Sequence, residues 1–212
     1  MGPYEGLDPE GIIERVARHG RDSSRPPGAL IAYLTKHKHW SPMEHLHLGF
    51  KIETSRAISA QFFRHSSLHA QEWSQRYDAP PGFEPIEIRR QHDKNRQSST
   101  DVFDPEITTP DGTVYTASSL IQRHNRRTEE LYNTLVRYGV AKECARGILP
   151  MASTTIIHLT GNVRDWLAFC NVRLDHHAQK EARMVAEAMV PYIEAEIPGV
   201  FSQLDIAGGN FM

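Results

Sequence analysis

The sequence contains few cysteines and no long apolar run. Cys144 and Cys170 are the two cysteines among 212 residues, and they form no CxxC pair, which excludes a thiolate zinc site and a disulfide-rich secreted scaffold. The apolar stretches fall short of the roughly 18 residues that a membrane-spanning helix needs, and residues 1–4 do not resemble a signal peptide. We therefore expect a cytoplasmic protein without a membrane partner, in which both cysteines are buried as small apolar residues.

An excess of charge of one sign is also lacking. The 24 basic and 26 acidic side chains give a formal net charge of -2, which argues against a protein that binds nucleic acid through its overall charge. The length suits one domain. We expect a single domain over residues 1–212, with an inserted arm at about 79–115, where prolines, glycines and a polar run predict at most short strands.

Histidine is the compositional outlier, with 12 copies, and four of these lie close together within residues 37–47. Residues 46–52 alternate between apolar and other side chains, which predicts a half-buried strand over about 44–54. His45 and His47 would share the polar face of this strand, while His37 and His39 precede a Ser41-Pro42 turn. The spacing favours a polar strand face over a site with converging metal ligands, so we expect no metal.

Helical spacing of apolar residues recurs along most of the chain. It predicts helices around residues 12–16, from 29 to about 37, from Ser55 to about 65, past Thr116, over 141–149, and from about 162 to 195, with Pro191 kinking or ending the last. The long helix past Thr116 should bury residues 120, 121, 124, 131, 135 and 136. A breaker at residues 23–28 separates the first two helices. The fold class is therefore α+β, helix-dominated, with a small antiparallel sheet.

Two segments combine arginine, amide and hydroxyl groups with apolar residues. The first is residues 61–77, where we predict a helix end and then an extended segment over 67–77 that places Ser74 and Arg76 on one side, where they would offer donors to a phosphate. In residues 162–179 we predict that Arg173 and His177 are i,i+4 neighbours on a helix. Ion-paired surface arginines are the alternative interpretation, and composition alone favours it.

The pattern of these segments resembles the flavin-dependent thymidylate synthases. Their signature is Arg-His-Arg, seven residues, Ser, any residue, Arg, and it stands here as Arg64-His65-Ser66, seven residues, Ser74-Gln75-Arg76. Residues 39–45 (His-Trp-Ser-Pro-Met-Glu-His) look like the family's His-x-Ser-Pro-Phe-Glu-His. Residues 145–150 and 171–179 are similar to its Ala-Arg-x-x-Leu-Pro and Asn-x-Arg to His-Ala-Gln segments. The matching segments run in order from about residue 30 to residue 195.

The resemblance implies a homotetramer with FAD at subunit interfaces. Such an enzyme oxidises NADPH and moves a one-carbon unit from methylenetetrahydrofolate to C5 of dUMP, giving dTMP. The residues that the resemblance assigns to FAD are His45, Arg64, His65, Asn162, Arg164 and His177. Those that it assigns to the pyrimidine nucleotide are Gln61, Glu72, Ser74, Gln75, Arg76, Arg146 and Arg173. Arg173 and Ser74 are the candidates for catalysis, with Ser74 as a ligand contact rather than a nucleophile.

The sequence departs from the family pattern at two places in the signature. Ser66 replaces its second arginine, which removes a permanent cation and up to five donors, and His69 stands where many members have serine. These departures leave two alternatives open beside dUMP methylation. One is the same chemistry on UMP, as in nucleoside-antibiotic biosynthesis, and the other is a homologue that binds flavin or nucleotide without catalysis.

Overall fold

The secondary structure is predominantly helical. The computed structural model describes residues 6–18, 28–80 and 82–201, so the predicted breaker at 23–27 lies outside the described residues. The helices are α1 (Pro9–Ala17), α2 (Ala29–Lys36), α3 (Arg56–Phe62), α4 (Ala117–Arg137), α5 (Lys142–Ala145), α6 (Val163–Arg173) and α7 (Lys180–Glu196). The strands are β1 (His47–Ser55), β2 (His69–Glu72), β3 (Arg89–Gln91), β4 (Ser99–Val102), β5 (Glu106–Thr108), β6 (Val114–Thr116) and β7 (Thr154–Asn162). Short 3₁₀ turns span Ser41–His45 and Arg146–Ile148. The predicted helix-dominated α+β class is confirmed.

The chain divides into two compact units. The first comprises Met1–Ile52, Phe63–Ala70 and His158–Met212, and the second Glu53–Phe62 and Gln71–Ile157. A single domain over residues 1–212 stays a prediction. Among the described residues, no helix has the length and hydropathy that crossing a membrane requires.

The strand predicted from alternation is confirmed as β1, where burial alternates along residues 46–54. It begins at His47, so the prediction that His45 lies on this strand is wrong. His45 closes the 3₁₀ turn instead, because Pro42 at the start of that turn fixes a backbone angle suited to it. The sheet order is β1, β7, β2. Sequence analysis missed its middle strand, β7, although residues 154–160 are rich in β-branched side chains.

An aromatic cluster forms the core of the first unit where α6 packs on β1. Trp166 is fully buried, and its indole Nε1–H donates to the Leu48 carbonyl at 3.1 Å. Its ring lies 4.9 Å from that of Phe50 and 5.7 Å from that of Phe169, both in edge-to-face geometry. Edge-to-face aromatic pairs add to the free energy of burial, so this cluster fixes α6 against the strand.

The single helix predicted from 162 to 195 is two helices in the structure. α6 ends at Arg173 and α7 begins at Lys180. In the turn between them, the Asp175 carboxylate accepts the His177 backbone N–H at 2.7 Å. This local bond competes with continued helix, so His177 is not a helical i,i+4 neighbour of Arg173.

Pro191 was predicted to kink or to end the helix; it lies inside α7, which continues to Glu196, so it does not end the helix, and the kink stays a prediction. Pro191 has no N–H, so the Glu187 carbonyl lacks its intrahelical donor. Both residues are exposed. Water can therefore satisfy the freed carbonyl.

The second unit contains the arm and the long helix. The arm carries two short antiparallel pairs, β3 with β4 and β5 with β6, which confirms the predicted short strands. α4 begins at the predicted place, where the Thr116 hydroxyl accepts the Ser119 N–H. Its fully buried residues are Asn125, Thr128 and Tyr132.

The predicted inward face of α4 is only partly correct. His124 is exposed, and Leu131 keeps 49 % of its surface accessible. The buried residues 125, 128 and 132 form an i, i+3, i+7 stripe beside the apolar residues that were predicted to be buried. Packing of this stripe determines the orientation of α4.

Candidate functional site

In the first unit, an arginine and a histidine from separate segments meet. Arg173 Nε donates to His65 Nε2 at 3.0 Å, and the His65 ring lies 4.8 Å from that of Phe169. Burial, and secondly the positive charge of Arg173, lower the pKa of His65 from 6.5 to about 4. His65 is therefore neutral near pH 7 and accepts through Nε2, which leaves the proton on Nδ1.

Arg64 places a second guanidinium close to this pair. Burial lowers the pKa of Arg173, and the charge of Arg64 lowers it further. Arg64 itself is exposed and has no ion-pair partner in the part of the chain that the structure describes. Two neighbouring cations that repel each other make a site that an anionic or electron-rich ligand would stabilise.

The N-terminal end of α6 carries two further candidates. Asn162 Oδ1 accepts the Asp165 N–H at 3.0 Å, and Asp165 Oδ2 accepts the Asn162 N–H at 3.1 Å, which forms a capping box. The Asn162 NH₂ group makes no hydrogen bond to any described residue. Arg164 pairs with Glu44 at 2.5 Å, and both side chains are exposed. Sequence analysis missed Glu44 as a partner, although it lies within the matched residues 39–45.

His45 and His177, also predicted to contact FAD, are both exposed. The His177 ring lies 3.8 Å from that of His176. One ligand atom from each of Asp175, His176 and His177 lies within 4.8 Å of the others, with Asp175 half-buried and both histidines exposed, which is a spacing that could hold a metal ion.

In the second unit, Glu72 is held by two residues that sequence analysis did not single out. Ser59 Oγ donates to Glu72 Oε1 at 2.7 Å, and Arg56 Nη1 lies 2.5 Å from Oε2. Both partners lie on α3, as does Gln61, which is half-buried. These two contacts fix the Glu72 carboxylate. The sequence signal for them was the position of Arg56 and Ser59 on a helix that precedes the signature.

The prediction that Ser74 and Arg76 lie on one side of an extended segment is wrong. The extended backbone of β2 ends at Glu72, and the Tyr77 N–H then donates to the Ser74 carbonyl at 3.0 Å, which closes a turn. The Ser74 hydroxyl also accepts the Arg76 N–H at 3.3 Å. This local bonding by a serine competes with extended structure, and it brings two donors of the signature into one turn.

Three further candidates of the second unit differ in their partners. Arg76 forms an exposed ion pair with Glu143 at 3.0 Å. Arg146 is half-buried at the start of its 3₁₀ turn and has no ion-pair partner among the described residues. Gln75 is 8 % exposed, and its Nε2 is buried without a hydrogen-bond partner in the part of the chain that the structure describes. A buried donor without a partner costs free energy that a ligand acceptor would recover.

The two cysteines differ from each other. Cys170 is buried as predicted, and burial raises the pKa of its thiol to about 12. Cys144 is exposed on α5, so the prediction that it is buried is wrong; the four-residue helix α5 buries Ala145 instead.

The candidates sort by unit. All six predicted FAD residues lie in the first unit: His45, Arg64, His65, Asn162, Arg164 and His177. The predicted nucleotide residues lie in the second unit, except Arg173 in the first: Gln61, Glu72, Ser74, Gln75, Arg76 and Arg146. Hydrogen bonding joins Arg173 to His65 and Ser74 to Arg76.

The neutral state of His65 makes the stability of the protein depend on pH. Because its folded pKa of about 4 lies below the unfolded value of 6.5, the unfolded state binds more protons in this range. The contribution is present above pH 6.5 and is lost as the pH falls towards 4, by about 1–2 kcal/mol once solvent screening is discounted. Urea unfolding at pH 7.5, 5.5 and 4.5 measures it. His65→Gln should show a shallower loss, and equal slopes for both proteins would contradict the assignment.

Comparisons with known proteins agree with the motifs. Residues 6–199 match the family model described as thymidylate synthase complementing protein. The chain is 36% identical over 187 residues to a probable flavin-dependent thymidylate synthase of Paramecium bursaria Chlorella virus 1, covering 86% of this chain and 82% of the relative. It is 35% identical over 203 residues to the flavin-dependent thymidylate synthase of Synechocystis sp., covering 95% of this chain and 92% of that relative.

The matched residues include both segments in which the motifs lie, and both relatives are covered over most of their length. The chain therefore belongs to the thymidylate synthase complementing family, the family of the flavin-dependent thymidylate synthases. The resemblance inferred from the signature is confirmed.

Proposed function

We propose that the protein is an FAD-dependent enzyme that methylates the uracil C5 of dUMP, with methylenetetrahydrofolate as carbon donor and NADPH as reductant, giving dTMP. The observation that carries the proposal is the Arg173 to His65 hydrogen bond beside the Arg64 guanidinium, which has no ion-pair partner among the described residues. Membership of the family supports it.

Arg173 would stabilise the charge that develops on the pyrimidine. Attack by uracil C5 on the methylene carbon requires enolate-like negative charge on the uracil carbonyl oxygens. A guanidinium whose Nε is bonded to His65 is held in a direction from which its donors would stabilise this charge. Neutral His65 fixes the direction of the guanidinium without adding a competing cation.

The proposed phosphate ligands are Ser74, Arg76 and Arg146. Arg76 would exchange Glu143 for the phosphate, and the exposed ion pair costs little to break, about 1 kcal/mol or less. Charge-assisted bonds to a phosphate are stronger. The buried Gln75 Nε2 would donate to the nucleotide, which would satisfy a group that otherwise has no partner. Glu72 and Gln61 would complete the nucleotide contacts.

The donors of the first unit fit a flavin dinucleotide. Arg64, the free NH₂ group of Asn162, the exposed Arg164 and the exposed imidazoles of His45 and His177 offer hydrogen bonds, and FAD presents acceptors on its ring and its diphosphate. FAD when bound supplies the hydride that completes the methyl group. These residues and the proposed nucleotide ligands would hold and orient the flavin and the pyrimidine nucleotide. Because Ser66 replaces the second arginine of the signature, Arg64 is the arginine that remains in the Arg-His-Ser triplet.

A protein nucleophile has no place in this proposal. The thiol of Cys170 is buried with a pKa of about 12, so it carries no thiolate near pH 7. Carbon transfer then depends on alignment and on Arg173.

The proposal includes a cytoplasmic homotetramer with active sites at subunit interfaces. The second unit supports an interface on α4, because Leu131, exposed in the single chain, lines an open groove of about 790 Å³ together with Leu120 and Arg127. Exposed apolar side chains such as Leu131 are found at protein contacts, here next to polar residues that include Asp111 and Arg123.

Product mass after anaerobic turnover tests the function. The protein receives FAD, NADPH and methylenetetrahydrofolate, with dUMP and UMP in competition. We expect methylated dUMP and a flavin band that bleaches on reduction. Methylated UMP would show that the nucleotide acceptor is UMP rather than dUMP. Flavin that is bound and reduced without any methylated product would overturn the proposed reaction. The same assay on Ser66→Arg shows whether the altered signature limits turnover.

A further inference from the structure

The second unit contains a cleft that is lined by none of the residues proposed to bind flavin or dUMP. It lies between α4 and residues 82–86, and its volume is about 470 Å³. Small-molecule sites are concave and commonly measure about 300–1,000 Å³. This cleft, which we call the α4 cleft, therefore has room for a heterocyclic ring system.

Backbone hydrogen bonds fix the wall that residues 82–86 form. The Glu84 N–H donates to the Ala152 carbonyl at 2.8 Å. The Gly82 carbonyl accepts both the Thr154 N–H at 2.9 Å and the Thr154 hydroxyl at 3.0 Å. The opposite wall is a helix of 21 residues. Because both walls are ordered before binding, a ligand loses little free energy in ordering them.

Asn125 places a buried amide in the wall of the cleft. It is 9 % exposed, and its side chain makes no hydrogen bond to any described residue. Asparagine is also a poor helix former, so local structure does not explain its place inside α4. A primary amide has two N–H donors and a carbonyl acceptor. Leaving them unpaired in a buried position costs free energy that a bound ligand would recover.

The charged side chains of the cleft also lack partners. Glu84 is half-buried, and its carboxylate forms neither a hydrogen bond nor an ion pair with a described residue. Arg126 and Glu129 are exposed i,i+3 neighbours on α4, yet neither forms an ion pair within the described chain. The lining thus holds two carboxylates and one guanidinium, and this excess of negative charge disfavours a phosphate or another anion.

These groups suit a neutral, flat heterocycle with a particular edge. A carboxylate accepts from two adjacent N–H groups, and an amide N–H donates to a carbonyl. The 2-amino-4-oxopyrimidine ring, which is present in guanine and in pterins, carries an amino group, a ring N–H and a carbonyl in that order. The apolar part of the lining, which includes Phe83 and Ile121, would cover the faces of such a ring.

We propose that the α4 cleft binds a neutral ligand with a 2-amino-4-oxopyrimidine ring, either a guanine nucleoside or a pterin. Glu84 accepts from the ring N–H and the amino group, and Asn125 donates to the carbonyl. The site is formed by residues other than those proposed for flavin and dUMP, and the inference does not rest on the proposed function.

Calorimetry on the FAD-loaded protein with guanosine, inosine, adenosine and pterin tests this assignment. Inosine lacks the 2-amino group of guanosine, and adenosine in addition has an amino group in place of the carbonyl. We expect guanosine to bind about tenfold more tightly than inosine, and adenosine not to bind. Whichever of guanosine and pterin binds more tightly identifies the source of the ring.

Two variants and a matched control connect this binding to the cleft. Glu84→Gln replaces one acceptor with a donor, so guanosine should bind about tenfold more weakly and lose its advantage over inosine. Asn125→Leu replaces an unpaired amide with a better helix former, so it should retain the fold while weakening guanosine and inosine alike by about tenfold. Glu130→Gln, exposed on α4 outside the cleft, should leave both affinities unchanged.

Three results would overturn the inference: neither guanosine nor pterin binds to the wild type, adenosine binds as tightly as guanosine, or both cleft variants leave the tighter ligand unaffected. A preference for guanosine over inosine that persists in Glu84→Gln would overturn the contact assigned to Glu84. Because the titration measures binding without turnover, it decides the α4 cleft even if no methylated product forms from dUMP or UMP.

Discussion

Arg173→Ala will lower kcat for dTMP formation on the order of 10³-fold while FAD stays bound. The guanidinium is the one candidate group that is both near a second arginine and fixed through its Nε, at 3.0 Å from His65 Nε2. Removing it deletes the donors that we propose stabilise the charge on the pyrimidine, while the flavin contacts proposed for Arg64 and Asn162 remain. Product mass gives kcat, and flavin absorbance per subunit reports cofactor binding.

Arg173→Lys is the matched control. Lysine keeps the charge but has a single nitrogen, which cannot bond His65 and face both uracil carbonyls in a plane. We expect a loss of kcat on the order of 10², between wild type and Arg173→Ala. Turnover within about twofold of wild type in Arg173→Ala would contradict the assignment.

Trp166→Ala will destabilise the protein by about 3–5 kcal/mol, as truncation of a buried aromatic side chain does. Trp166 is fully buried, contacts Phe50 and Phe169, and bonds the Leu48 carbonyl at 3.1 Å. Since domains are stable by only about 5–15 kcal/mol, the variant should unfold at much lower urea concentration. Urea midpoints at pH 7.5 measure the effect.

Trp166→Phe separates packing from hydrogen bonding. Phenylalanine keeps most of the ring contacts but leaves the Leu48 carbonyl without the indole donor, so a loss of about 1–2 kcal/mol is expected. Equal losses in both variants would show that the hydrogen bond, and not the aromatic cluster, dominates. A midpoint unchanged in Trp166→Ala would show that α6 is not anchored here.

Hydropathy patterns in the sequence correctly predicted the elements in which one face is buried and the other is exposed. β1 has one face in the core and one outside, so its alternation was visible in residues 46–54, and α4 has a strong helical period. The burial of β7 alternates as well, but Thr154-Thr155 and Ile156-Ile157 place the same residue type on both faces, so the alternation is not visible in the sequence. The break after Arg173 depends on one Asp175 hydrogen bond, which helical periodicity does not register.

The candidate site was also predicted only in part. The motifs identified residues such as Arg164 and Glu72, because residue type and spacing carry that information. They did not identify the partners of those residues, Glu44 lying 120 positions from Arg164 and Ser59 lying 13 from Glu72. Partners that far apart in sequence are brought together by the fold alone, so single-sequence reasoning has no local signal for them.

α6 sets a fixed distance between two of the candidate cations. Arg164 and Arg173 are nine residues apart on one continuous helix, which separates them by about 14 Å along its axis and by about half a rotation around it. The two side chains therefore leave the helix on opposite sides and near opposite ends. The helix acts as a rigid spacer that assigns its two ends to different molecules or to distant parts of one, and inserting or deleting one residue within it would rotate one end relative to the other by about 100°.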